Sequence, residues 1–252
     1  MNVNLETPEE DDMASKASGW DFLDAVVRPG SPIYDRTFSL VGQYFATYTG
    51  RMFEVVGRDT GTLDPDRLLC EDIVATSMLS VTVPPRAAIE ILITREHEIR
   101  SLLRDVPTNV PLSDAPDVTL GRDSPLWRLW DLLVGLPGVG PTTASKLLAH
   151  KRSSLVPIQD SYVMLHLAAD VAARPVHTDA RVAGSFWHYL RAWLQTEGTL
   201  DALEQLRADA LRNANTTASR LLAEVSALRL LDVAMWTAVE AERQSAPTMA
   251  VD

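Results

Sequence analysis

The chain has 252 residues, of which 46% are hydrophobic and 23% charged, a composition typical of a globular protein with a proper core. It contains no apolar run long enough to cross a bilayer, and residues 1–19 lack the basic-then-apolar pattern of a secretory signal. We therefore expect a cytoplasmic protein with no membrane partner. The net charge of −11 argues against nucleic acid as a partner, although residues 1–24 carry −6 of it.

Apolar periodicity and turn signals predict an all-α fold, because no long stretch alternates as a strand would. Residues 1–18 are predicted to be a disordered acidic tail. Predicted helices of the first half cover residues 20–27, 32–48, 67–79 and 85–105, followed by an extended loop over 106–123. Ser124 and Pro125 then begin a helix as cap and first helical residue. Later helices are predicted over 161–173, 180–196, 200–213 and 217–243, and residues 244–252 are a tail.

A single cysteine, Cys70, excludes an internal disulfide, which fits a reducing compartment. We expect Cys70 to be a small buried apolar residue rather than a nucleophile. The histidines show no spacing typical of metal ligands, so no zinc site is expected.

The stretch from Leu132 to Val163 carries the most informative motif. Gly138-Val139-Gly140 separates two apolar helical segments, and Pro141 begins the second. The two glycines permit a tight turn, because positive φ costs them little. Free N–H groups in the turn and the first helical turn, together with the helix dipole, suit one phosphate. An ordinary helical hairpin with a glycine turn explains the same residues.

The string L-P-G-V-G-x-x-x-A-x-x-L-L, beginning at Leu136, resembles the helix-hairpin-helix motif of base-excision DNA glycosylases. That superfamily includes endonuclease III and the adenine-mismatch glycosylases. Its hairpin is followed by a proline-containing segment that ends in a catalytic aspartate, and Val156-Pro157-Ile158-Gln159-Asp160 occupies that place here. Asp160 lies 18 residues after Thr142, as in the family pattern. The resemblance covers about thirty of the 252 residues.

The resemblance implies that Asp160 stabilises the positive charge that develops on the sugar as a flipped-out base departs. Asp160 also has a structural interpretation as the cap of the helix that begins at Ser161; both roles can hold together, and the spacing favours the catalytic one. Contacts with the DNA backbone are expected from Gly138, Val139, Gly140, Thr142, Thr143, Lys146 and Lys151.

Two departures from the family pattern narrow the expected chemistry. Bifunctional members carry a lysine where this chain has Thr142, which implies a monofunctional enzyme that leaves an abasic site without cutting the strand. Some members hold an iron–sulfur cluster through four cysteines, whereas this chain has one, so no cofactor or metal is expected.

Recognition of the base is harder to assign. The candidates for the base pocket are Tyr34, Tyr48, Arg51, Tyr162 and Asn213, although aromatic residues at helical spacing are usually core. Arg229 and Asp232, three residues apart, are expected to pair on one helix face. A basic face is expected from the cluster formed by Lys146, His150, Lys151 and Arg152.

The resemblance further implies two helical lobes facing each other across a cleft. Residues 67–158 would form the lobe with the hairpin, and residues 19–66 with 159–243 the other. We expect a monomeric DNA glycosylase that serves repair, or defence against modified invading DNA. Two alternatives remain. A non-catalytic helix-hairpin-helix module would not need Asp160, and a helical interaction protein would have no affinity for DNA.

Overall fold

The computed structural model describes residues 18–57, 64–173 and 182–245, and this part of the chain is helical without a strand. The predicted all-α fold is thus confirmed. No helix in it is both long and apolar enough to span a membrane. Residues 1–17 and 246–252 of the two predicted tails lie outside the described residues, whereas Gln244 and Ser245 belong to the last helix.

The helices occur in the following order along the chain. They are α1 (Gly19–Val27), α2 (Pro32–Thr47), α3 (Cys70–Met78), α4 (Pro85–Ile89), α5 (Glu96–Arg104), α6 (Asp117–Leu120), α7 (Pro125–Val134), α8 (Pro141–Lys151), α9 (Ser161–Ala173), α10 (Val182–Leu194), α11 (Thr199–Arg212), α12 (Thr216–Glu224) and α13 (Ala227–Ser245). Short 3₁₀ segments cover Thr49–Met52 and Leu112–Asp114, and one π turn covers Glu90–Thr94.

Local capping explains where several helices begin. Ser31 and Ser124 each accept a hydrogen bond from the backbone N–H three residues later, and each is followed by proline. Asn215 caps α12 in the same way. These side chains satisfy amide groups that have no partner inside the helix, so the predicted starts of α2 and α7 coincide with the observed ones.

Two helices predicted as continuous are broken. The segment 85–105 divides into α4, the π turn and α5, with Arg95 at φ −112° between the last two. The segment 217–243 ends α12 at Glu224 and resumes as α13. Ser226 explains the second break, because its hydroxyl accepts from the backbone N–H of Arg229 and donates to the carbonyl of Ser153. A tertiary contact therefore overrides the apolar periodicity at this point.

The helices pack in two sets of neighbours, which α10 joins through its contacts with Leu112–Asp114 and with α6. Helix α2 packs against α1, α11, α12 and α13, whereas α3 packs on α8, α5 on α7, and α7 on α8. One contiguous apolar core runs through both sets. A smaller cluster of Phe53, Ala75, Ala149 and Ile158 joins the segment after α2 to α3, to α8 and to the segment before α9. Each buried large apolar side chain contributes about 1.5–3 kcal/mol.

The prediction of a basic face beyond the glycine turn is wrong. The Lys151 ammonium lies 2.8 Å from one carboxylate oxygen of Asp72, and His150 pairs with the other oxygen. Arg152 is 1% exposed and donates to interior carbonyl groups and to Asp66. These cations stabilise buried carboxylates and carbonyls, because a buried polar group without a partner is costly. They are not available to a phosphate in solution.

The prediction that Cys70 is buried is also wrong. Cys70 begins α3 and is exposed. The buried positions of that helix are Asp72, Ala75 and Thr76, so the helix turns its other side inward.

Candidate active site

A cavity of about 390 Å³ is lined by the ends of α2 and α3, by α8, by the start of α9 and by α13. This is the size range of cavities that hold small organic groups. Its aromatic lining consists of Tyr44, Tyr48, Tyr162 and Trp236. Its charged lining consists of Lys146, Asp160, Arg229, Asp232, Glu240 and Arg243.

The glycine turn lies between α7 and α8, next to one edge of the cavity. Gly138 has φ +78°, and a Cβ there would lie 2.7 Å from Cγ of Pro84. Both its backbone conformation and its close approach to Pro84 therefore require glycine. Gly140 has φ −93°, and a Cβ added to it would meet nothing within 4 Å, whereas Val139 is buried. Gly140 thus leaves open space in front of the first turn of α8.

The first two turns of α8 direct different residues to the cavity and to the core. Thr142 lines the cavity, whereas Thr143 is buried and does not line it. Lys146, one turn after Thr142, is directed into the cavity wall with its side chain 5% exposed. Its Nζ donates to the carbonyl of Leu79 at 2.9 Å and lies 3.6 Å from Oδ2 of Asp160.

Burial lowers the pKa of Lys146, and the nearby carboxylates of Asp160 and Asp232 oppose this effect. Its ammonium is occupied inside the protein. The structure therefore places Lys146 at the cavity and not on the outer surface, where a contact with the DNA backbone would lie.

Asp160 lies at the start of α9, and its two carboxylate oxygens have different partners. Its Oδ1 accepts from the backbone N–H of Tyr162 at 3.0 Å, which caps the helix, and its Oδ2 faces Lys146. The preceding residue is tied to α8, because the backbone N–H of Gln159 donates to Oγ of Ser145 at 3.0 Å. The capping role is thus present, and the second oxygen remains at the cavity wall.

Arg229, on α13, joins the cavity wall to the interior. Its guanidinium forms ion pairs with Glu54 and Asp232 and donates to the hydroxyl of Tyr44 at 3.0 Å and to the carbonyl of Gly50 at 3.3 Å. The expected pairing with Asp232 is confirmed. Burial disfavours the charge of Arg229, but the carboxylate of Glu54 and the other anionic partners outweigh burial and raise the pKa of Arg229.

Asp232 presents a second carboxyl group to the cavity, with its side chain 8% exposed. Burial raises the pKa of Asp232 to about 6. Arg229 lowers that pKa and Asp160 raises it. Two carboxyl groups with different surroundings therefore face one cavity.

Aromatic rings form one wall of the cavity. Tyr44 and Tyr48 are stacked with ring centroids 5.6 Å apart, and Trp236 meets both edge-on at 5.8 and 5.6 Å. Tyr162 is 42% exposed, and the guanidinium of Arg243 lies 3.8 Å from the centre of its ring. This wall is suited to stacking against a flat ring.

Of the five residues expected in a base pocket, Tyr48 and Tyr162 line the cavity and three do not. Tyr34 is buried elsewhere with its hydroxyl bonded to Asp209, and both burial and that hydrogen bond raise the pKa of Tyr34. Arg51 bonds to the backbone carbonyl of Tyr48. Asn213 is exposed at the end of α11. None of these three residues lines the cavity, so they are not carried into the proposed base pocket.

One lining residue has an unusual backbone. Ser80 has φ +59°, and it follows Leu79, whose carbonyl accepts from Lys146. A serine in the left-handed region is uncommon, and such residues concentrate at functional sites.

Sequence reasoning missed the contribution of α13 to the cavity. Five of its lining residues recur every three or four positions and combine charge with an aromatic ring: Arg229, Asp232, Trp236, Glu240 and Arg243. A stripe of this kind on an otherwise apolar helix is the signal that indicates them.

Comparison with known proteins identifies one family. No curated protein and no solved structure matches the chain. Residues 37–239 match a family of unknown function, DUF6308. Because the match covers most of the chain, the protein belongs to the DUF6308 family.

Proposed function

We propose that this protein is a monofunctional DNA glycosylase that hydrolyses the N-glycosidic bond of a flipped-out damaged or modified base. The observation that carries the proposal is the position of Asp160, whose Oδ2 lies on the wall of an aromatic-lined cavity. The residue before Asp160 is hydrogen-bonded to the helix that follows the glycine turn, and Asp160 lies at the spacing of the resembling family. Hairpin, carboxylate and cavity thus occur together.

The chemistry assigned to Asp160 follows from the charge that the reaction creates. As the base leaves, positive charge develops on the sugar, and a carboxylate beside it stabilises that state and accepts a proton from the attacking water. One oxygen of Asp160 is held by the helix cap, which fixes the orientation of the other. Lys146 attracts that second oxygen towards the cavity wall.

The lining of the cavity supports a flat aromatic substrate. Tyr44, Tyr48 and Trp236 provide ring faces and edges against which a nucleobase would stack. Asp232 provides a polar group that reads an edge of the base. Tyr162 and Arg243 would lie at the exposed part of the lining, where the nucleotide enters.

Contact with the DNA backbone is proposed at the glycine turn. Gly140 leaves open space in front of the first turn of α8, where backbone N–H groups and the helix dipole favour an anion. Lys146 and Lys151 are left out of this contact because both are engaged inside the protein. Arg86 is exposed in the first turn of α4, two residues after the Pro84 that touches Gly138, and we add it to the contact.

The two-lobed arrangement is part of the same proposal. The packing of α3 on α8, of α5 on α7 and of α7 on α8 supports a hairpin lobe over residues 67–158, which α10 contacts at Leu112–Asp114 and at α6. The cavity takes its lining from both sets, so a nucleotide bound there would contact both.

The test is release of base from DNA duplexes that carry deaminated, alkylated, oxidised or hypermodified bases, followed by hot alkali. Wild type is compared with Asp160→Asn, which retains a good capping residue and is expected to fold. Release should fall at least about 100-fold, the usual effect of removing one group that stabilises a transition state. Asp209→Asn is the matched control, because Asp209 is a buried aspartate that does not line the cavity.

Other outcomes would change the proposal in different ways. Unchanged release in Asp160→Asn would overturn the role of Asp160. Strand cleavage before alkali that disappears in Lys146→Met would show that the enzyme is not monofunctional. Salt-sensitive binding without release would indicate a non-catalytic DNA-binding module, and no binding at all would indicate an interaction protein.

A further inference from the structure

Asp160 is not the only carboxyl group at the cavity. Asp232 reaches it from α13, and the charge of Asp160 acts on Asp232. Lys146 is close enough to be affected by both. Sites that break glycosidic bonds commonly divide two tasks between two carboxyl groups, one protonated and one ionised.

The surroundings of Asp232 differ from those of Asp160. Arg229 faces it from its own helix, Lys146 from α8 and Asp160 from the start of α9. Asp232 does not hold the charge of Arg229 alone, because Glu54 pairs with the same guanidinium. Burial is the dominant effect on Asp232 and raises its pKa to about 6. About a tenth of Asp232 is then protonated at pH 7.

We propose that Asp232 is the general acid that protonates the departing base, and that the substrates whose release depends on it are neutral bases and not cationic alkylated ones. The inference rests on the proposed glycosylase function and specifies its substrate class. The geometry that carries it is the presence of Asp232, from α13, and Asp160, from the start of α9, in the lining of one cavity that also contains the aromatic rings of Tyr48 and Trp236.

The bond between C1′ of the sugar and the base nitrogen breaks, and its electron pair stays on the base. The Asp232 carboxyl group gives its proton to a ring nitrogen of the base, which leaves neutral. Water adds to C1′ and gives a proton to Asp160. That proton returns to Asp232 through solvent, so one water is consumed for each base released.

The substrate class follows from what each kind of base needs in order to leave. A neutral base departs as an anion unless a ring nitrogen is protonated, so an acid in the cavity accelerates it, by a factor of about 10² to 10⁴ for a well-placed group. A base alkylated on a ring nitrogen is already a cation and departs neutral without a proton. An acid contributes nothing to its release.

The experiment measures single-turnover release from duplexes of one sequence that carry hypoxanthine, uracil, 8-oxoguanine or 7-methylguanine, between pH 5 and 8.5. Wild type should release a neutral base, with a rate that falls about tenfold per pH unit above about pH 6. Asp232→Asn should reduce that release about 100-fold and abolish the fall with pH. Its release of 7-methylguanine should change by less than about threefold, because that base needs no proton.

Matched variants separate acid catalysis from support of the fold. Asp209→Asn also removes a buried aspartate that pairs with an arginine three residues away on one helix, but away from the cavity. It should leave all rates unchanged. Asp232→Glu retains a carboxyl group and should restore pH-dependent release of the neutral base. It also provides the measurement if Asp232→Asn does not fold.

Three results would overturn the inference and leave the proposed function intact. They are equal losses on neutral and cationic bases in Asp232→Asn, a pH profile that survives in that variant, and a wild-type enzyme that releases 7-methylguanine alone. If wild type does not release 7-methylguanine, the pH profile decides. Release of no base of any kind by wild type, here or in the wider panel, would instead overturn the proposed function.

Discussion

The ion pairs of Arg229 permit a strong test of the cavity wall. Arg229 is 5% exposed and balances two carboxylates, Glu54 and Asp232, which are themselves 6% and 8% exposed at the side chain. Arg229→Met keeps most of the side-chain volume but leaves both carboxylates buried without their cation. Breaking a buried ion pair in this way costs about 3–5 kcal/mol. For a chain of this size, 1 kcal/mol corresponds to about 2–4 °C, so the melting temperature should fall by about 6–20 °C.

The assay is unfolding by urea and by heat at pH 7 and pH 5. The loss should be smaller at pH 5, because carboxylates left without a cation in the interior take up protons as the pH falls and lose their charge. Arg95→Met is the matched control, since Arg95 pairs with Glu98 at the surface and should cost less than about 1 kcal/mol.

A second comparison isolates the charge from the packing. Adding Glu54→Gln and Asp232→Asn to Arg229→Met removes both charges that were left unpaired, so most of the lost stability should return. The assignment of this stability to buried charge is wrong if Arg229→Met is as stable as Arg95→Met, or if the triple variant is no more stable than the single one.

Three further predictions concern the backbone and the pH dependence of stability. Gly138→Ala should lower the free energy of unfolding in urea by about 1–3 kcal/mol, because of the positive φ of Gly138 and the nearby Pro84. Gly140→Ala should leave that free energy unchanged, and equal losses in the two variants would contradict the turn geometry. Ser80→Gly should not lower the melting temperature, because glycine adopts φ +59° without strain, and a clear drop would count against strain at that residue. The folded-state pKa of Asp232, about 6, lies above its unfolded value, so Asp232 stabilises the fold least at high pH. Wild type should therefore lose stability relative to Asp232→Asn as the pH rises from about 4 to about 6. A parallel pH dependence of the two proteins would refute this.

Many features of the fold follow from local patterns. Ser31 and Ser124 begin helices because a hydroxyl followed by proline satisfies and shapes a first turn within three residues. The glycine turn follows from Gly138 in the same local way. The break at Ser226 could not be predicted, because it depends on a hydrogen bond to Ser153, which lies 73 residues away.

The candidate site was predictable only in part. The position of Asp160 and its spacing from Thr142 are visible in the sequence, and so is the pairing of Arg229 with Asp232. The direction of Lys146 was not visible, because a lysine one turn along a helix is equally compatible with a surface contact and with a cavity. Its carbonyl partner, that of Leu79, lies 67 residues earlier.

Local sequence alone therefore specifies an all-helical protein, the starts of many helices, a glycine turn and an aspartate at a helix start, because caps, glycines and apolar periodicity act over a few residues. Which charges are buried, and which surround the cavity, depends on how the helices pack. Arg229 meets Glu54 from 175 residues away, and Lys151 meets Asp72 across two helices. A charge is stable in the interior only beside its partner, and the partner is chosen by packing and not by neighbours in the chain.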